Sequence, residues 1–402
     1  MHRKPITIGE DALKVESKMI YLDNAETTAV DPEVAEIVLH YMVEKFGLPG
    51  GEFGHSLQEE ATEAVEKARE VIAWKVGAEP SEIIFTSGAT ESNNLALKGV
   101  VQHPLYKRKK VLTSAIEHKS VLDTALNLRR LGYQVEVLPV DSEGFVKVSN
   151  LLSSLSGAGL VSIQHANQEI GTLQDIKVIG ELCRERGVLF HTDAAQSFTK
   201  EEINVKALNI DLMSITSHLI HGPKGVGALY VREGIELQPL IEGDGRERGL
   251  RAGSQNVPAI VGFAEAVKRA KQEDAERMRK LRDRLINNLL QIEDSKLNGA
   301  TGERRVCHNV NVTFKYVEGE ALLLQAEMHG LVCNTGSACY SQRLEPSHVI
   351  TAIGGTHEDA HGSMRLSLSK MTTQQEVDLA AEILAKVVNR LRSFSPLAKR
   401  RS

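Results

Sequence analysis

The chain is poor in cysteine, with four among 402 residues, and it has no long apolar run. A helix needs about 20 consecutive apolar residues to cross a hydrocarbon core, so the sequence offers no membrane span. Charge of one sign is also lacking. The net charge is -5 with 25% of residues charged, which leaves no basic stripe for nucleic acid and none for an anionic membrane surface. Met1 to Glu10 carries no apolar stretch of signal-peptide type, so a cytoplasmic protein is expected. There is no internal repeat and no low-complexity linker, and the basic end Lys399-Arg400-Arg401 reads as a solvated tail.

The four cysteines are Cys183, Cys307, Cys333 and Cys339. A disulfide framework is not expected in a long chain without a secretion signal. Cys183 follows Ile179-Gly180-Glu181-Leu182 in a helical pattern and reads as core. Cys333 and Cys339 are six residues apart, which is not a zinc-ligand spacing. Cys339 sits in the small, polar stretch Thr335-Gly336-Ser337-Ala338-Cys339-Tyr340-Ser341. An exposed, flexible loop of that kind suits a reactive thiol, and an idle loop cysteine is the alternative.

What the chain does have is length and 42% hydrophobic residues, enough for a large core and two or three domains. Short apolar runs at 83–86, 110–113, 135–138, 160–163, 188–191, 212–215 and 227–231 read as buried strands. Amphipathic stretches such as Gln58 to Lys75, Ser120 to Leu131 and Ile176 to Arg186 alternate with them. That alternation predicts an α/β domain with a mainly parallel sheet covered on both faces. From about Gly262 the pattern changes. A long charged helix is expected from Ala264 to Ile292, then a strand at Val310–Phe314, a helix at Gly319–His329, a strand at Arg365–Leu368 and a helix from Gln374 to about Leu391. The expected division is a large domain at 18–262 and a smaller α+β domain at 263–402, joined by the N-terminal segment 1–17.

Three segments carry chemistry. Thr86-Ser87-Gly88-Ala89-Thr90-Glu91-Ser92-Asn93-Asn94 follows a strand and opens a helix. Its small residues let N–H groups and hydroxyls reach a phosphate, although an ordinary helix cap accounts for them equally. His191-Thr192-Asp193-Ala194-Ala195-Gln196 ends another strand. Asp193 there faces the ligand crevice of such a sheet and can keep a pyridine nitrogen protonated, and a buried ion pair is the alternative. The third segment is Thr216-Ser217-His218-Leu219-Ile220-His221-Gly222-Pro223-Lys224-Gly225.

With that third segment the chain resembles the cysteine desulfurases of the nitrogen-fixation and iron–sulfur-assembly type, which belong to the class V aminotransferase superfamily and fold type I of the pyridoxal-phosphate (PLP) enzymes. The resemblance runs from Tyr21-Leu22-Asp23-Asn24 to the Asp378 region. It includes Ala115-Ile116-Glu117-His118-Lys119, His165-Ala166-Asn167-Gln168-Glu169-Ile170-Gly171, Arg248-Gly249-Leu250-Arg251-Ala252-Gly253-Ser254-Gln255-Asn256, Thr335–Cys339 and Ser363-Met364-Arg365-Leu366-Ser367-Leu368.

The resemblance implies a fold type I architecture with a seven-stranded sheet, and a homodimer with active sites at the subunit interface. It implies that His118 stacks on the PLP ring and shuttles protons, that Asn167 and Gln196 bond the ring hydroxyl, and that Asp193 bonds the ring nitrogen. Ala89, Thr90, Thr216 and His218 would hold the phosphate, with Ser254 reaching in from the partner subunit. Arg365 and Asn167 would hold the carboxylate of L-cysteine, and Cys339 would take the sulfur as a persulfide, releasing L-alanine.

There are departures. Leu219 stands where the resemblance places the Schiff-base lysine. Leucine has no amine, so PLP would bind non-covalently at best and turnover would be impaired. Lys224 and Lys119 are routine family residues and do not replace the lost amine. Glu26 stands where the family has alanine, and a carboxylate near the substrate carboxylate would repel it. Gly47 to His55 is a variant of the family's Gly-Asn-Pro-Ser-Ser segment.

Three readings of Leu219 stay open: a slow enzyme, a non-catalytic partner, and a substitution introduced to trap a complex. The partner would dock an iron–sulfur scaffold protein of the IscU type and lend Cys339 as a cluster ligand or sulfur relay, sharing an iron–sulfur cluster.

Overall fold

Short apolar strands alternate with amphipathic helices over the first two-thirds of the chain, in a computed structural model that describes residues 19–50, 54–335 and 346–394. The expectations for the N-terminal segment, for Gly51–Phe53, for Cys339 and its flexible loop, and for the basic end therefore lie outside the described residues.

The order begins with β1 (Ile20–Tyr21), α1 (Pro32–Val43) and α2 (Ser56–Val76). The Asp31 side chain caps α1 by accepting from the Glu33 N–H, and Pro32 occupies the first turn, where its missing N–H does no harm. There follow β2 (Ile83–Thr86), α3 (Ala89–Gln102), β3 (Lys110–Ser114), α4 (Lys119–Arg130), β4 (Val135–Leu138), α5 (Val148–Ser154) and β5 (Ala158–Ser162). Then come α6 (Ile176–Arg186), β6 (Leu189–Asp193), β7 (Leu212–Thr216) and β8 (Gly227–Val231).

Strands β2 to β8 form one seven-stranded sheet in the order β2-β8-β7-β6-β5-β3-β4. Strand β8 runs antiparallel to both its neighbours, and the other pairings are parallel. Every position of β7 and β8 is buried, as a sheet covered on both faces requires. The expected α/β class with a mainly parallel seven-stranded sheet is the architecture observed.

The remaining elements are α7 (Val257–Arg269), α8 (Gln272–Leu289), β9 (Ser295–Leu297), β10 (Asn309–Phe314), α9 (Gly319–Met328), β11 (Leu331–Val332), α10 (His348–Ala352), α11 (His357–His361), β12 (Ser363–Ser367) and α12 (Gln374–Phe394). Strand β10 lies between β9 and β12, antiparallel to both, and β1 pairs in parallel with β11.

Among the described residues two buried apolar clusters are the largest. One holds Ile72, Phe190, Met213 and Phe263. The other holds Leu22, Leu285, Phe314 and Leu384. Helix α7 serves the first core through Val267, and Ile20 belongs to the second. The single helix expected from Ala264 to Ile292 is therefore two. Ala270 is extended (φ -75°, ψ 122°) and breaks it, because α7 buries its apolar face in the first core and α8 in the second.

Candidate active site at the carboxyl edge of the sheet

Strands β2, β3, β5, β6 and β7 run the same way, so their C-terminal ends share one edge. Ligands of open α/β sheets bind at that edge. A cavity of about 580 Å³ opens there. Its lining brings together Ala89, Thr90, His118, Asp193, Gln196, Thr216, His218, Leu219 and Arg365, which lie far apart in the sequence.

One end of the cavity suits an anion. After β2 the chain turns at Gly88 with φ 153° and ψ 178°, a conformation essentially restricted to glycine. That turn opens α3, and its first residues line the cavity with the helix's positive end. Opposite lies Thr216, whose buried hydroxyl has no hydrogen-bond partner. His218 and Lys224 line the same end, and burial, aided by the Lys224 charge, lowers the His218 pKa.

The middle of the cavity holds polar groups that are already aimed. Asp193 is 7% exposed and ends β6. Its Oδ1 accepts from the Ala195 N–H at 2.9 Å and its Oδ2 from Asn93 Nδ2 at 2.7 Å. His118 caps α4 with its ring: Nδ1 lies 3.2 Å from the Ser120 N–H and 2.8 Å from its hydroxyl. Gln196 donates from Nε2 to the Ala25 carbonyl at 2.9 Å and meets His308 at 3.1 Å.

Leu219 is 4% exposed in the wall. A second, smaller cavity of about 40 Å³ lies against the same residue and is lined by Lys200. Lys200 Nζ donates to the carbonyls of Leu219 at 3.1 Å and Gln196 at 3.2 Å. Burial pushes its pKa down to about 8.

The far end is built around Arg365 on β12. Its Nη2 donates to Asp23 Oδ1 at 2.8 Å and to Glu26 Oε2 at 3.4 Å. Its Nη1 reaches the Gln168 carbonyl at 3.5 Å, and its buried Nε has no partner. Glu169 lies close by, and burial raises its pKa to about 7 while its Oε1 accepts from Ser347 Oγ at 2.5 Å. Glu117 behind His118 is raised by burial to about 8.

Two predicted residues stand apart. Asn167 is fully buried behind the wall. Its Nδ2 donates to the Ile116 carbonyl at 2.8 Å, and its Oδ1 accepts from Glu169 N and Ile170 N. Its amide is thus engaged with backbone and is not among the groups lining the cavity. Ser254 is exposed in the loop before α7, away from its own chain's cavity. Asp23, Asn334 and Glu169 were not anticipated. Asn334 Nδ2 donates to Asp23 Oδ2 at 3.0 Å, so Asp23 is held between Asn334 and Arg365. Both flanks of the Cys339 segment are fastened near this end, at Asn334 and at Ser347.

Cys183 is buried, and burial raises its thiol pKa to about 12. Cys183, Cys307 and Cys333 are all free. Among the described residues no group of three or more His, Cys, Asp or Glu side chains is arranged to hold a metal, and no helix is long and apolar enough to cross a membrane.

Comparison with known proteins agrees on one family. The class-V aminotransferase model matches residues 20–379. The cysteine desulfurase IscS 1 of Archaeoglobus fulgidus is 48% identical over 386 residues, covering 95% of this chain and 100% of the relative. The cysteine desulfurase IscS of Methanosarcina thermophila is 47% identical over 393 residues, covering 97% of this chain and 96% of the relative. Among solved structures, a NifS-like protein superposes with a TM-score of 0.86 at 37% identity, covering 93% of this chain and 100% of that one. SspA in complex with cysteine superposes with a TM-score of 0.78 at 37% identity, covering 88% and 99%.

Proposed function

The chain belongs to the class-V aminotransferase family, among its cysteine desulfurases, and from that premise we propose that it serves sulfur mobilisation for iron–sulfur assembly with PLP held non-covalently. The observation that carries this reading is Leu219 in the wall of a cavity whose other groups suit the cofactor. The volume is ample for it, and the unpartnered Thr216 hydroxyl awaits an acceptor such as a phosphate oxygen.

Thr90, Thr216, His218 and the N-terminus of α3 would hold the phosphate. Asp193, oriented by Asn93 and the Ala195 N–H, would keep the ring nitrogen protonated. Gln196 would bond the ring hydroxyl. When bound, the cofactor supplies an electron sink for the substrate's α-carbon. His118, fixed by Ser120, would stack on the ring and move a proton, and Arg365 would grip the carboxylate of L-cysteine. Cys339 would take the sulfur as a persulfide and pass it on. Without a lysine at 219, the chain lacks the group that would serve as both covalent anchor and base, which lowers turnover by orders of magnitude.

Leu219 and the occupied Arg365 favour a second reading, in which the chain docks an iron–sulfur scaffold protein of the IscU type and lends Cys339 as ligand or relay. Both readings take a homodimer. The exposed position of Ser254, outside its own cavity, and the exposed apolar side chains Leu39, Met42 and Val43 on α1 support that assembly. A reducing cytoplasm suits the free cysteines among the described residues, Cys183, Cys307 and Cys333.

The test is alanine release from L-cysteine by the full chain with added PLP and a thiol reductant, against Cys339→Ala. Slow, Cys339-dependent alanine supports the enzyme reading. A folded protein that releases none refutes it in favour of the scaffold-binding one.

A further inference from the structure

Arg365 is already engaged on its Nη2 side from inside the chain, while its buried Nε has no partner. Its guanidinium carries one positive charge and meets two carboxylates, Asp23 at 2.8 Å and Glu26 at 3.4 Å. The two acids have different standing. Asp23 is buried and shared with Asn334, so it belongs to the wall. The Glu26 side chain is 52% exposed and lines the cavity. A turn places it there: the Glu26 and Thr27 N–H groups both bond the Asp23 carbonyl. This local cluster is net negative where an incoming carboxylate would bind, and Glu169 adds a third acid next to the same guanidinium.

We propose that Glu26 is the specificity-determining residue of this site, a tethered carboxylate that competes with the ligand's own for Arg365. The proposal rests on the reading that Arg365 is the carboxylate-binding group. An amino acid that takes the Nη2 side of Arg365 through charge-assisted bonds must displace Glu26 into solvent. An amine without a carboxylate makes no such demand. The site therefore discriminates against α-amino acids and in favour of neutral or cationic amines of the same size. Glu26 acts before chemistry, by raising the dissociation constant of carboxylate ligands alone.

The experiment compares L-alanine with ethylamine, which differ only in the carboxylate. Binding to the full chain supplemented with PLP is measured by calorimetry for wild type, Glu26→Ala and Glu26→Gln. The expected result is that L-alanine binds about tenfold more tightly to both variants, the scale of one charge-assisted contact, while ethylamine changes by less than about twofold. Two outcomes overturn the proposal: L-alanine affinity unchanged in both variants, or an equal gain for ethylamine, which would make Glu26 a matter of volume. Arg365→Gln separates the premise from the proposal, with its folding checked by thermal melting. If Arg365→Gln loses L-alanine binding while the Glu26 variants gain nothing, only the role of Glu26 fails. If Arg365→Gln loses nothing, the carboxylate role of Arg365 fails with it.

Discussion

Restoring an amine at position 219 is the sharpest perturbation, because the neighbourhood already reveals what it does to an amine. Lys200 donates to the Leu219 carbonyl, and burial lowers its pKa from 10.5 to about 8. At 1.36 kcal/mol per unit, that fall corresponds to about 3 kcal/mol against the charged form. Leu219→Lys puts a second amine into the same buried wall, with the Lys200 charge close by. Its pKa should fall at least as far, leaving about half of it or more neutral at pH 8 and able to attack an aldehyde.

The stability signature follows from the same shift. A lysine whose folded pKa lies below its unfolded value destabilises most below the folded pKa. That penalty disappears as pH rises past the unfolded one. Leu219→Lys should therefore melt below wild type at pH 7, by up to about 3 kcal/mol, and the gap should close between about pH 8 and 10.5. Borohydride reduction with PLP, read by intact mass, should add one cofactor at high occupancy to Leu219→Lys and little to wild type. Equal labelling of the two proteins, or a stability gap that does not change with pH, would refute the reasoning.

Other outcomes follow from single groups. Thr216→Val should leave stability within ~0.5 kcal/mol, because its hydroxyl has no partner to lose, and should weaken PLP binding several-fold in an absorbance titration. Glu169 has its pKa raised by burial from 4.5 to about 7, so its contribution to stability falls as pH rises from the unfolded value to the folded one. Urea unfolding at pH 4 and pH 7.5 should show wild type losing about 3 kcal/mol more than Glu169→Gln across that interval.

The inner strands of the large sheet are legible because burial on both faces makes them short, mostly apolar runs, as in β7 and β8. Strands β1 and β9, with two and three residues, are too short to show a period. The break at Ala270 carries no glycine or proline and is imposed by the two cores that α7 and α8 serve. At the site, the position of Asp193 at a strand end can be read from the sequence, whereas the role of Thr216 comes only from the resemblance. The resemblance already sets Glu26 near the substrate carboxylate, whereas Asp23 has no such signal, because it meets Arg365 across 342 positions of chain. The resemblance gives Asn167 to the ring hydroxyl and the substrate carboxylate, yet its Nδ2 donates to a backbone carbonyl 51 residues away.

The pairing of β1 with β11 has a consequence for synthesis of the chain. Ile20 must wait for Leu331, and Asp23 for Arg365, whereas the seven-stranded sheet is complete once Val231 has emerged. The large sheet can thus consolidate on the ribosome while the segment that precedes it hangs unpaired. The far wall of the cavity closes last, when β12 arrives to capture an aspartate made more than 300 residues earlier. A nascent chain stopped before that point would carry the Thr216 end of the cavity without the Arg365 end.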